Sequence, residues 1–180
     1  MAEDPAFLPV RIAVLTVSDT RTAADDRSGD TLVERLTAAG HLLAARAILR
    51  DDRPAIEARL RAWIADPGVD VVISTGGTGL TGRDVTVEAH AAVYDKAVTA
   101  FGVLFTMLSY AKIGTSAVQS RACAGVAGGT YLFALPGSPG ACRDAWDGIL
   151  VSQLDYRHCP CNFVEIMPRL DEHLRRDGGG

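Results

Sequence analysis

Four short apolar-rich runs, at 11–17 (RIAVLTV), 42–49 (LLAARAIL), 71–74 (VVIS) and 131–135 (YLFAL), alternate along the chain with segments whose apolar residues recur at helical spacing. The first of these runs, short, β-branched and bounded by a polar loop, reads as a strand buried on both sides, the habit of parallel sheets. The first intervening helix carries Leu32, Val33 and Leu36 on one face, with Ser28 as its expected N-cap and Gly40 as its stop. The second, over 54–65, places Ile56, Leu60 and Ile64 on one face. Repeated strand–helix units imply a parallel sheet covered by helices.

Later segments continue the alternation less regularly. Helices are expected over 87–96 and 101–110, then an irregular stretch around 114–116 and a short strand at 123–126. The strand at 131–135 runs into a tight turn (PGSPG, 136–140) and a helix through Trp146, Ile149, Leu150 and Leu154. A chain of 180 residues is long enough to bury one core and too short for two full domains. The reading is a single domain over 10–165, a flexible N-terminal arm over 1–9, and a tail over 166–180 whose last residues are expected to fray.

Charge and composition exclude several classes. The formal charge is −4, with sixteen arginines against two lysines and no basic run, so nucleic acid is not an expected partner, while arginines gathered in one anion-binding cleft are compatible with it. The apolar runs fall short of the ~20 residues a membrane helix needs, and the start (MAEDPAFLP) lacks a signal-peptide core. No membrane association is expected, and the cytoplasm is the expected location. Cys123, Cys142, Cys159 and Cys161 lack paired zinc spacing and read as free thiols.

Ligands of open α/β sheets bind beyond the carboxyl ends of the strands, which directs attention to three loops. Residues 74–84 (STGGTGLTGRD) hold four glycines within seven positions, letting backbone amides approach a phosphate. Neither a Walker phosphate loop nor a dinucleotide fingerprint is present. With Thr86 as the expected N-cap of the next helix and Glu88 in its first turn, Asp84 is left in the loop. A carboxylate beside a phosphate loop is repulsive unless a cation bridges the two, the role of magnesium; alternatively Asp84 bonds its own backbone, as turn aspartates do. In 136–140, Ser138 and Pro139 fit the N-cap and first position of a helix, giving either a second anion site or a well-capped junction. The connection over 18–28 exceeds the usual two to six residues and reads as a binding loop. Asp51 and Asp52 either add a second carboxylate or favour the helix begun by Pro54. No Gly-x-Ser-x-Gly elbow is present, and His41, His90, His158 and His173 lack metal-ligand spacing, so phosphate positioning with metal assistance is preferred over covalent catalysis.

Taken in order, TGGTG at 75–79, Arg83-Asp84, Glu88-Ala89 and LPGS at 135–138 resemble the MoaB/MogA family of molybdenum cofactor biosynthesis proteins. The resemblance runs from about Arg11 to Phe163 and includes Ser18-Asp19, DRSG at 26–29 and GTS…QSR at 114–121. The last segment and PCNF at 160–163 are more similar to the MoaB branch. The chain has Thr86-Val87 where the family usually has Thr-Pro.

The resemblance implies a three-layer α/β/α sandwich with a mostly parallel, doubly wound sheet, assembled as a homotrimer or homohexamer and acting beside other molybdenum cofactor biosynthesis proteins. It further implies adenylylation of molybdopterin with Mg²⁺ and ATP, releasing pyrophosphate before molybdate insertion; a non-catalytic molybdopterin carrier is the alternative. On this analogy Asp51 and Asp84 are the catalytic and metal-binding residues. Thr75, Gly76, Gly77, Thr78 and Gly79 meet the nucleotide, Pro136, Gly137 and Ser138 line the pterin or nucleotide pocket, and Ser28 and Arg121 are further binding candidates.

Overall fold

The structure, a computed structural model, describes residues 5–176. Its strands are β1 (Arg11–Val17), β2 (Leu42–Leu49), β3 (Val71–Thr75), β4 (Lys96–Ala97), β5 (Cys123–Ala127) and β6 (Thr130–Leu135). The helices are α1 (Arg27–Ala38), α2 (Arg53–Ile64), α3 (Thr86–Ala91), α4 (Thr99–Ile113), α5 (Pro139–Ala145), α6 (Val151–Gln153), α7 (Phe163–Ile166) and α8 (Glu172–Arg176). A π-helical turn at Trp146–Leu150 joins α5 to α6.

One six-stranded sheet has the order β2-β1-β3-β6-β5-β4. Its first four strands are mutually parallel, and β5 runs antiparallel to both β6 and β4. Alternate residues of the central strands feed two cores. Ile12, Val14, Val71, Ile73, Tyr131 and Phe133 face Leu32 and Leu36 of α1, Phe101 and Phe105 of α4, and Trp146 and Leu150. Ala13, Leu15, Val72 and Leu132 face Ile56, Leu60 and Trp63 of α2 and Ala89 of α3. Helices therefore cover both faces of a mostly parallel sheet, the expected sandwich, and all parallel strands present their carboxyl ends on one side.

Departures from the expected elements have local causes. The helix expected over 87–96 ends at Ala91, because the following chain is captured by β5: Asp95 N donates to Val126 O (2.8 Å) and Val98 N to Ala124 O (2.8 Å). The helix expected over 101–110 spans Thr99–Ile113, and the stretch read as irregular is a 3₁₀ helix at Gly114–Gln119. Ser28 does not cap α1. Asp26 does: its carboxylate accepts from Gly29 N (3.0 Å), Thr16 Oγ1 (2.7 Å) and Arg46 (2.8 Å). Burial alone pushes the Asp26 carboxyl up, yet Arg46, the Gly29 amide and Thr16 together hold it below the usual range. Gly40, at φ 91°, ends the helix region as expected.

Residues 1–4, part of the expected flexible arm, lie outside the described residues, as do 177–180. Within the arm, the Phe7 ring stands 5.1 Å from that of His41. Past residue 160, Val164, Met167 and Leu170 pack on the core. Among the described residues, Thr99–Gln119 is long and apolar enough to cross a membrane by length and composition, with 17% of the stretch buried. The apolar runs considered in the sequence did not include it; its buried Phe101, Phe105 and Ser109 face the domain.

Candidate functional site

The chain folds so that the loops after β1, β2, β3 and β6 converge at the carboxyl edge of the sheet. Gly76 N donates to Leu135 O (3.0 Å), extending the β3–β6 ladder into the glycine loop. Gly76 has φ 96°, and a Cβ there would stand 2.2 Å from Val17 O, so only glycine lets the loop lie this close to β1. Gly77 has φ 66°, and a Cβ there would meet Thr86 Oγ1 at 2.3 Å and Asp51 Oδ1 at 2.6 Å.

Two cavities flank this loop. The smaller, about 210 Å³, is lined by Ser28, Asp51, Thr75, Gly76, Gly77, Asp84 and Gly137, with Arg21 and Arg83. The larger, about 460 Å³, is lined by Gly77, Thr78, Gly79, Asp84, Pro136, Gly137 and Ser138, with Phe105 and Ile113. Gly77, Asp84 and Gly137 belong to both. Eleven of the twelve candidate residues therefore surround one divided cleft.

Arg121 is the twelfth, and its guanidinium is engaged elsewhere. Nε donates to Thr78 O (3.2 Å) and Gly79 O (2.9 Å), while the terminal nitrogens pair with Glu88. It clasps the back of the glycine loop. A similar clasp, not anticipated from sequence, lies on the other side: Arg21 donates to Gly137 O (3.0 Å) and Ser28 Oγ (2.9 Å), and Ser28 Oγ donates to Gly137 O (3.0 Å). Thr75 Oγ1 donates to Pro136 O (2.9 Å), and Ser138 accepts from Ala141 N (3.1 Å) as the expected N-cap of α5. Side chains of three loops thus hold one another's backbone in place.

A family profile described as "Probable molybdopterin binding domain" matches residues 13–156, a span that contains every one of these loops. The chain belongs to this family. It is 52% identical to molybdenum cofactor biosynthesis protein B of Escherichia coli K12 over 157 residues, covering 87% of this chain and 92% of that one. A crystal structure of a molybdenum cofactor biosynthesis protein B superposes with a TM-score of 0.84 at 40% identity, covering 93% of this chain and 99% of that one. The tungsten cofactor synthesizing protein MoaB of Pyrococcus furiosus gives 0.71 at 34% identity, over 79% and 91% of the two chains. The protein is accordingly a molybdenum cofactor biosynthesis protein of the MoaB/MogA family.

Within this domain the two candidate aspartates sit in opposite environments. Burial, then the charges of Asp19 and Asp84, raise the Asp51 carboxyl above its usual range. Asp84 is lowered, chiefly by the Thr81 hydroxyl. It is not the unengaged loop carboxylate expected from sequence: Oδ2 accepts from Thr81 N (2.9 Å) and Thr81 Oγ1 (2.7 Å), the short-range alternative. A carboxylate has about four acceptor directions, so capacity remains toward the cleft. Asp19, in the loop read as a binding loop, is held below the usual range by Arg83, whose Nε donates to it (2.9 Å).

Thr86 also differs from expectation. Val85 occupies the cap position, Thr86 is the first helical residue, and its wholly buried Oγ1 has no hydrogen-bond partner. Leaving such a hydroxyl unsatisfied costs about 1–3 kcal/mol. The helix behind it is anchored by Ser74 Oγ, 2.8 Å from His90 Nε2, in a site whose burial pushes the imidazole down to about 3 and keeps it neutral.

No group of three or more His, Cys, Asp or Glu side chains fit to hold a metal occurs among the described residues. Magnesium needs less from the protein when phosphate is present, taking one or two carboxylates and completing its shell with phosphate oxygens and water. Asp51 and Asp84 share one cavity, and repulsion between them is among the causes that raise Asp51. A divalent cation between them would relieve that repulsion, so the residues present fit such an ion. Arg21, Arg83, Asp19 and Thr86 escaped the sequence reading as site residues; the unusual length of 18–28 was the available signal for Arg21 and Asp19.

Proposed function

We propose that this protein binds molybdopterin and adenylylates it with ATP and Mg²⁺, releasing pyrophosphate and preparing the product for molybdate insertion. The observation that carries this reading is the divided cleft, in which the glycine loop and Asp84 border both a small charged cavity, which also holds Asp51, and a larger, partly apolar one. The small cavity suits the phosphates: it combines the Gly76 and Gly77 backbone with Arg21 and Arg83. The larger one offers Phe105 and Ile113 as apolar walls and the Gly79 and Ser138 region as polar edges, a setting for a flat heterocycle.

In the reaction, a phosphate oxygen of molybdopterin attacks the α-phosphorus of ATP, the bond from that phosphorus to the bridging oxygen breaks, and pyrophosphate leaves with the electron pair. Asp51 and Asp84 would hold Mg²⁺, which would supply charge neutralisation on the phosphates. The chain itself positions and neutralises: the loop backbone orients the phosphates, the arginines offset their charge, and the clasps formed by Arg21 and Arg121 hold the loops in register. A homo-oligomer, trimer or hexamer, is part of this reading. It is supported by the outward apolar residues Val103, Met107, Tyr110 and Ile113 of α4, each more than half exposed.

The alternative, a molybdopterin carrier, is favoured by one observation: Asp84 is already engaged by Thr81, as an ordinary turn aspartate would be. Pyrophosphate release on mixing the protein with molybdopterin, ATP and Mg²⁺ separates the two readings. The enzyme reading expects stoichiometric pyrophosphate and a loss of roughly 100-fold or more in rate for Asp51→Asn. Molybdopterin binding without pyrophosphate would establish the carrier instead, and an undiminished rate in the variant would remove Asp51 from the machinery.

A further inference from the structure

Thr86 presents a chemical question that the proposed reaction leaves unanswered. Its hydroxyl is the only hydrogen-bonding group of the side chain, the residue is wholly buried, and the oxygen has no partner. It does not cap α3, since Val85 stands at that position. The backbone around it is fixed: Thr86 N donates to Gly77 O (2.9 Å), locking the start of the helix onto the glycine loop.

The oxygen nevertheless has a neighbour in view. A point one Cβ bond above Gly77 lies 2.3 Å from Thr86 Oγ1 and 2.6 Å from Asp51 Oδ1. The hydroxyl and the carboxylate oxygen thus both stand over the bare Cα of Gly77, with Val17 Cγ1 next nearest to that point at 3.2 Å. Gly77 borders both cavities, and Asp51 borders the charged one. Turning the Asp51 side chain toward the hydroxyl would give that oxygen the hydrogen bond it lacks in this structure.

We propose that Thr86 is a positioning residue whose hydroxyl donates to the Asp51 carboxylate when the cleft is loaded, holding that carboxylate toward the bound cation. The inference rests on the reading of Asp51 as a ligand of the nucleotide-associated metal. Residues that orient metal ligands through such bonds typically influence affinity by 10–100-fold when removed.

Thr86→Val keeps the shape of the side chain and deletes the hydroxyl. A hydroxyl with a structural bond would be missed on folding; this one has no bond in the free protein, so the variant is expected to unfold at the same temperature as the parent or slightly above it. Mn²⁺ binding, followed by electron paramagnetic resonance in the presence of α,β-methylene-ATP, is expected to weaken roughly tenfold, whereas Thr86→Ser stays within about twofold of the parent. Parent-like Mn²⁺ affinity in Thr86→Val overturns the inference and leaves the metal reading intact. Absence of Mn²⁺–nucleotide binding by the parent overturns both. A fall of several degrees in the unfolding temperature of Thr86→Val, or its failure to fold, assigns the hydroxyl a structural bond and overturns the inference as well.

Discussion

The two cavities that meet at Gly77 are built from opposite materials. The one of about 210 Å³ is bounded by Asp51, Asp84, Arg21 and Arg83 and by glycine backbone. The one of about 460 Å³ shares Gly77, Asp84 and Gly137 and adds Phe105, Ile113 and Ala141. The first offers charge of both signs within a space suited to a phosphate and its counter-ion. The second offers an apolar wall with a polar rim. Because they meet at Gly77, Asp84 and Gly137, groups bound in the two would stand beside each other, as the proposed transfer between phosphates demands.

A larger space at the other end of the strands sharpens the contrast. The cavity of about 640 Å³ bordered by Leu8, Asp66, Asp70 and Met167 exceeds both in size. Its Asp70 is already committed to Arg11, whose Nε and backbone N each donate to it. It also lies at the amino ends of the parallel strands, away from the edge where α/β sheets bind ligands. Volume alone therefore does not decide; converging loops and a carboxylate shared by two cavities favour the carboxyl edge as the candidate site.

The most damaging change should be Gly76→Ala. Its methyl would press on the carbonyl of Val17, which belongs to a central strand and has no room to retreat, and φ 96° is strained for alanine. Thermal or urea unfolding should show a loss of at least about 2 kcal/mol, with the charged cavity lost before the apolar one. A parent-like stability would mean that the loop is not held against β1.

The two aspartates give smaller effects of opposite sign. Asp84, lowered by Thr81, stabilises the fold above the usual carboxylate range, and that contribution disappears as pH falls through its depressed value. Asp84→Ala should therefore cost about 1 kcal/mol near neutrality, reduced by solvent exposure, and progressively less in acid. Asp51 runs the other way: with its carboxyl raised, the ionised form burdens the fold once pH climbs past the usual value and through the raised one. Asp51→Asn should melt slightly higher than the parent at pH 7, and the advantage should vanish below the usual carboxylate range. Melting curves across pH in the absence of nucleotide and metal check both. Parallel behaviour of the two variants would erase the distinction between their environments.

Much of this architecture could be read from the chain. β1, β3 and β6 are apolar enough to be buried on both faces, whereas β2, which carries Arg46, is a largely exposed edge strand; Gly40 and Ser138 terminate or begin helices where their chemistry requires. What resisted reading depends on contacts distant in sequence. Asp26 and Ser28 are both cap-type residues two positions apart, and Thr16 and Arg46 decide between them. The segment after Ala91 has helical spacing, but backbone bonds to β5 draw it into an edge strand. The glycine loop and its aspartates stand out as a candidate site because their residue types are unusual in combination. The Arg21–Gly137 and Arg83–Asp19 contacts, spanning 116 and 64 residues, were not. Arg121 is a binding candidate by resemblance, whereas in the fold its guanidinium donates to the loop's carbonyls, a role that only the folded arrangement reveals.

A crystal structure with Mg²⁺ and α,β-methylene-ATP bears most directly on the divided cleft. The account predicts the phosphates in the charged cavity, against the backbone of Gly76 and Gly77, with the cation between them and the carboxylates of Asp51 and Asp84. Phosphates seated instead at the amino ends of the strands, or a cation bound without either aspartate, would contradict it.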